Sequence, residues 1–151
     1  MKQKERSWTH LGLNQDIERL ENHILKLIQA SKHHTTTEMV MGDIPIATLY
    51  NFNYAIADNP FCITSHTLKK VALRLDELEP NQQYYRNLQT MTAYFIDTYI
   101  LVDSVHELTK IGLNYTTLKK VENKQLDIPY RMETLIKYAK IIEQSSERGV
   151  S

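Results

Sequence analysis

The sequence predicts an all-α fold built from one helical unit used twice. Three observations carry this expectation. Apolar residues recur at helical spacing over four long stretches. Only four Gly and four Pro interrupt the 151 residues, too few for the frequent turns of an all-β sandwich or barrel. A set of positions also recurs 67 to 69 residues further along the chain.

The elements follow in order. In the first long stretch Asn14 reads as an N-cap, and Ile17, Leu20, Ile24, Leu27 and Ile28 share one face. The second runs from about Thr67 to Leu78, with Leu68, Val71, Ala72 and Leu75 in line. The third opens after Pro80-Asn81 and aligns Leu88, Met91, Phe95 and Tyr99. Its tyrosine-rich stretch suits a core between the two halves. The fourth runs from about Glu133 to Gln144 and aligns Leu135, Tyr138, Ala139 and Ile142. Between them, Thr35-Thr36-Thr37-Glu38 and Ser104-Val105-His106-Glu107 read as capping boxes. In such a box the hydroxyl accepts the N3 amide and the Glu accepts the cap amide.

The two boxes lie 69 residues apart, and that offset continues. Thr48-Leu49 matches Thr117-Leu118, and Asp58 and Pro60 match Asp127 and Pro129. A two-residue gap shifts the offset to 67, where Thr67-Leu68 matches Thr134-Leu135, Lys70 matches Lys137 and Ala72 matches Ala139. Apolar character is kept at Met39/Leu108, Ile44/Leu113, Phe52/Val121 and Leu75/Ile142. Two copies do not make a solenoid, so the expectation is a duplicated unit closed on itself. Residues 1–13 form an N-terminal arm, 14–79 the first unit, 80–145 the second and 146–151 a tail, within one compact domain.

In the second unit, Leu108 and Ile111 form the buried side of a short helix, and Gly112 ends it with a left-handed turn. Leu113 is buried in the turn, Asn114 caps the next helix, and Leu118 and Val121 face the core. This is helix-turn-helix grammar. The run resembles the Cro/C1-repressor (XRE-type) helix-turn-helix domains, which place a Gly, an apolar residue and a capping Ser or Asn before a recognition helix. They continue with a Pro and a helix opening Thr-Leu, as Pro129 and Thr134-Leu135 do here. The resemblance covers about 103–142. The first unit departs from it, with one extra residue in Gly42-Asp43-Ile44-Pro45 and Pro45 at the place of Asn114; Pro is acceptable at a first helical position. Two such units in one chain also resemble the TraN-type accessory proteins of Gram-positive conjugative plasmid transfer. These resemblances imply two helix-turn-helix units fused as an internal pseudo-dimer. They also imply a cytoplasmic double-stranded DNA binder serving type IV secretion or its operon control, with other transfer or regulatory proteins as further partners.

In helix-turn-helix proteins the second helix enters the major groove and its outward residues meet base edges. In the second unit these are Asn114, Tyr115, Thr116, Lys119, Lys120 and Asn123. Lys can bond guanine or a phosphate, Thr can touch the thymine methyl, and Asn can read adenine. In the first unit they are Ile46, Ala47, Tyr50, Asn51 and Tyr54, which are less basic. Two unlike heads imply an asymmetric target and a monomer with an internal pseudo-two-fold axis. Amides opening the helices near Thr36 and Val105 would suit phosphates. The arm, with Lys2, Lys4, Arg6 and Trp8, either reaches a groove or is pinned to the core.

Charge and chemistry bound the alternatives. Net charge is zero, distributed as +2 over 1–13, −3 over 14–79, +2 over 80–142 and −1 over 143–151. An anionic partner therefore favours the second half or the arm. The single Cys62 excludes an intramolecular disulfide and fits a reducing compartment. No apolar run reaches membrane length and no leader is evident, so a cytoplasmic protein is expected. Cys62, His66, His33 and His34 lack the paired spacing of a zinc site, and no metal or cofactor is expected. No P-loop, dinucleotide or nucleophile motif occurs, so no enzymatic activity is expected. Lys119-Lys120 and Lys69-Lys70 can also be merely solvated, Tyr50, Tyr54 and Tyr115 can be core or rim, and His33-His34 reads as a polar loop near phosphate. The rival function is a helical protein-interaction module that keeps the fold, which zero net charge and Ile46 favour.

Overall fold

A computed structural model describes residues 12–41, 44–50, 52, 60–123, 126 and 129–150, which contain helices and no strand. Helix α1 spans Leu13–Lys32, α2 spans Thr36–Val40, and α3 covers residues 46–50. A 3-10 turn at Pro60–Cys62 precedes α4, Ser65–Leu78. Then come α5 (Tyr84–Tyr99), α6 (Val105–Lys110), α7 (Tyr115–Glu122) and α8 (Met132–Val150). The order long, short, short, long thus occurs twice. Residues 1–11 of the arm, with Trp8, and the candidates Asn51 and Tyr54 lie outside the described residues. Leu13 is not part of an arm: it opens α1 and is buried.

The four long helices carry the core. Leu20, Ile24, Leu27 and Ile28 of α1 are buried with Leu68, Val71, Ala72 and Leu75 of α4. Leu88, Met91, Phe95 and Ile96 of α5 and Leu135, Ala139 and Ile142 of α8 join the same cluster. These are the stripes that the 3.6-residue period places on one face. Burying one such side chain contributes roughly 1.5–3 kcal/mol, so these faces dominate the stability. Helices α1, α4 and α5 pack against one another, and α8 packs on α1 and α5.

Helix ends differ from the sequence expectation where backbone geometry decides. Gly12, not Asn14, caps α1: it stands at φ +107° and its carbonyl accepts the Asp16 amide at 3.0 Å. A side chain resists that φ, and Gly does not. Helix α4 starts ahead of Thr67 because the Thr64 hydroxyl accepts the Thr67 amide at 3.3 Å. Helix α8 begins at Met132 and runs past Gln144. The start of α5 is held by a carboxylate from α4: Asp76 accepts the amides of Tyr84 (2.6 Å) and Tyr85 (3.1 Å). A negative charge there also meets the positive end of the helix dipole.

A buried carboxylate and a half-buried imidazole stand out. Asp16 is 4% exposed and accepts hydroxyl bonds from Tyr94 (2.9 Å) and Tyr99, with Arg19 at 3.5 Å. This ties α1 to α5 and partners a carboxylate that burial would otherwise penalise heavily. Both phenols are pushed up, first by burial and then by their bond to Asp16. His23 has a buried Nε2 that no group in the described structure satisfies. Burial first, then the nearby Lys26, lowers its pKa to about 4.

One junction is centred on backbone bonds. Thr64 and Arg131 form an isolated antiparallel bridge. The Ser65 amide donates to the Tyr130 carbonyl at 2.8 Å, and the Met132 amide donates to the Ile63 carbonyl at 3.4 Å. The 67-residue offset pairs these same residues, 63 with 130, 64 with 131 and 65 with 132. The Ser65 hydroxyl accepts the Tyr130 amide at 3.2 Å as well.

Two outcomes are expected. A double-mutant cycle with Asp16→Asn and Tyr99→Phe, read by urea unfolding, should give a coupling of about 1–3 kcal/mol, and a coupling near zero would count against the clamp. The neutral His23 ring makes the unfolded state the better proton acceptor between pH 6.5 and 4, so stability falls as pH drops through that window. Wild type should lose about 2 kcal/mol more than His23→Leu between pH 7 and pH 5.

Candidate nucleic-acid interface

Helix α6 opens at Ser104, whose hydroxyl accepts the Glu107 amide at 3.1 Å. The reciprocal half of the expected box is replaced: the Ser104 amide donates to Asp103, and the Glu107 carboxylate pairs with Lys110 at 3.2 Å. The box at Thr35 is complete, with the Glu38 amide on the Thr35 hydroxyl and the Thr35 amide on the Glu38 carboxylate. Helix α6 ends at Ile111, and Gly112 follows at φ +99°. A Cβ on Gly112 would meet nothing within 4 Å, so the requirement is conformational and not one of space. Asn114 caps α7 by accepting the Thr117 amide at 2.9 Å, and its own amide donates to the Tyr138 hydroxyl of α8 at 3.3 Å. Leu108, Leu113, Leu118 and Val121 are buried as expected. Ile111 is not: it is 37% exposed, because it belongs to the turn and no longer to the apolar face of α6.

That scaffold leaves one face of α7 outward. Asn114, Tyr115, Thr116, Lys119, Lys120 and Asn123 are all exposed, so Tyr115 is a surface ring and not core. Lys119 pairs with Glu122 at 2.8 Å, and this bond raises its pKa. Exposed pairs of this kind are weak, so an arriving phosphate can displace Glu122.

The first head is different in kind. The Pro45 carbonyl accepts the Leu49 amide at 3.0 Å, as the Asn114 carbonyl accepts that of Leu118. Pro45 therefore stands at the cap position and not at the first helical position, and it brings no side-chain acceptor. Ile46 (65% exposed), Ala47 and Tyr50 (62% exposed) face outward, while Ile44, Leu49 and Phe52 are buried. No cation stands among the described outward residues of α3.

At the helix starts near Thr36 and Val105, Glu38 and Asp103 accept from the cap amides of Thr35 and Ser104 and place a carboxylate beside each start. His33 and His34 lie in the loop between α1 and α2 as expected, and the His34 Nε2–H donates to Glu79 at 2.6 Å, with Glu38 at 3.7 Å. That bond comes first among the causes that hold the Glu79 carboxyl below its ordinary range. Tyr84 donates to the same carboxylate and is pushed up to about 12, by burial first. Lys69 and Lys70 are half-buried and not simply solvated, with the Lys69 ammonium 6.0 Å over the Tyr85 ring. Among the described residues no group of three or more His, Cys, Asp or Glu is placed to hold a metal ion. No described helix is long and apolar enough to cross a membrane.

One residue that the sequence did not single out stands beside the first head. Arg131 lines a cavity of about 390 Å³ with Thr48, Phe52, Ile63, Thr64 and Thr67. Its side chain is 62% exposed. Only the pairing of Thr64 with Arg131 brings it there, and nothing local in sequence announces that pairing.

Comparison with family models, with curated proteins and with solved structures finds no match to this chain.

The turn yields a stability test. Asn114→Ala removes the only side-chain acceptor at the cap of α7 and should cost about 1 kcal/mol in thermal or urea unfolding. Asn114→Ser, which restores an acceptor, should recover most of it. Equal losses from both variants would mean that the cap bond contributes nothing.

Proposed function

We propose that this chain binds double-stranded DNA through two unlike reading helices, α3 and α7, as a regulator or accessory factor of conjugative DNA transfer. The observation that carries the reading is the α6–turn–α7 geometry. A glycine at positive φ and a capping Asn set α7 on the buried Leu113, Leu118 and Val121. Thr116, Lys119, Lys120 and Asn123 are thereby left outward with donors and acceptors suited to base edges and phosphates. Internal duplication is part of the proposal. It is supported by the repeated helix order and by the reciprocal bonds between 63–65 and 130–132, which a two-fold axis through the bridge would generate. The link to conjugation rests on the likeness of a tandem architecture to the TraN-type proteins.

A second reading has its own observation. Met41, Ile46 and Tyr50 are 73%, 65% and 62% exposed, and such apolar exposure suits a protein partner. Salt separates the two readings, because phosphate neutralisation releases counterions and apolar burial does not.

Fluorescence anisotropy of the full chain on a mixed-sequence duplex should show log affinity falling linearly with log salt. Replacing Lys119 and Lys120 together by Ala should lower that slope by roughly two contacts' worth, at about 0.9 per phosphate. Absence of binding at low salt would overturn the DNA reading and favour the protein partner.

A further inference from the structure

The first head has a charge problem that the second does not. Ile46, Ala47 and Tyr50 carry no positive charge for a phosphate, whereas α7 carries Lys119 and Lys120. The antiparallel bridge answers this by crossing a residue over. Arg131 belongs to the second half of the chain, yet it is paired with Thr64 and shares a cavity wall with Thr48, the residue beside Ala47 on α3. Its counterpart under the 67-residue offset is Thr64, which is uncharged, so the second head receives no such cation in return.

We propose that the cavity between α3 and the start of α4 is a phosphate-ester site of the first head, with Arg131 as its cation. The site deepens the DNA reading and takes its partner, a backbone phosphate, from it. A guanidinium is planar and matches two phosphate oxygens at once. The cavity also holds hydroxyl donors. Thr64 donates to the Thr67 oxygen at 3.1 Å, which leaves the Thr67 hydroxyl hydrogen to donate onward. Thr48 supplies a further hydroxyl, and Phe52 and Ile63 add an apolar lining. The carboxylate paired with Arg131 is Glu133, at 3.5 Å on the exposed side, a weak contact that a phosphate can displace. The first head is thus completed in trans by the other half of the chain.

The test uses the full chain in two arms. In the first, the Arg131 Nε–H signal and the Thr48 and Thr67 amides are followed by NMR during titration with inorganic phosphate and then with duplex DNA. Both probes should shift all three groups in wild type, and Arg131→Gln should remove the response at the Thr amides. In the second, Arg131→Gln should lower the salt slope of duplex binding by about one phosphate contact, and Arg131→Lys should keep it. Duplex binding with no shift at these groups and no change of slope would overturn the site while leaving the DNA reading standing. Shifts with phosphate but no binding of duplex would uphold a phosphate site and overturn its assignment to DNA. No response to either probe would overturn both.

Discussion

Helices of five, six and eight residues, the lengths of α2, α6 and α7, do not persist alone in water. Nucleation fixes several residues for the first hydrogen bond, and a helix this short ends before propagation recovers that cost. Everything that faces outward on α3 and α7 therefore depends on the long helices behind them. Leu49 and Phe52, and Leu118 and Val121, are the anchors. At α7 the Asn114 side chain then satisfies an amide that packing cannot reach. The outward face of a short helix is positioned only as firmly as the inward face is packed. Here the Tyr138 hydroxyl of α8 also holds the turn itself, by accepting the Asn114 amide.

The distribution of carboxylates gives the surface its character more than the count of lysines does. Glu38, Asp76 and Asp103 are all used at helix starts, where they neutralise backbone amides. Glu79 is used by His34 and Tyr84, and Asp16 by two tyrosines. A chain of zero net charge is thus less acidic in what it offers to a partner than its composition suggests. Glu107 and Glu122 are the exceptions near α7, each holding a lysine of the same head.

Periodicity made the long helices legible, because their apolar stripes bury against one another whatever the details of the ends. The turn at Gly112 to Asn114 was legible too, since each residue there has a local reason for its type. What was not legible was anything fixed by another part of the chain. Asn14 is as good a cap residue as any, but the backbone at Gly12 closes the first turn instead. Ile111 fits the apolar spacing of α6, but the helix ends before the spacing applies. His34 sits in a polar loop as its sequence suggests, but its partner Glu79 lies 45 residues away and only the fold brings the two together. Arg131 reads as one more surface cation until the bridge sets it beside α3.

The bridge at Thr64 and Arg131 has one further property. Its two central bonds join amide to carbonyl, and every residue except proline supplies both groups. Those two bonds are indifferent to side-chain identity, whereas the third, from the Tyr130 amide to the Ser65 hydroxyl, is not. Substitutions on either side of the bridge, proline apart, leave those two bonds available without a matching change on the other side. The register of 63–65 against 130–132 is thus set by the main chain, while the seating of α1 and α4 on α5 and α8 still depends on side chains that match.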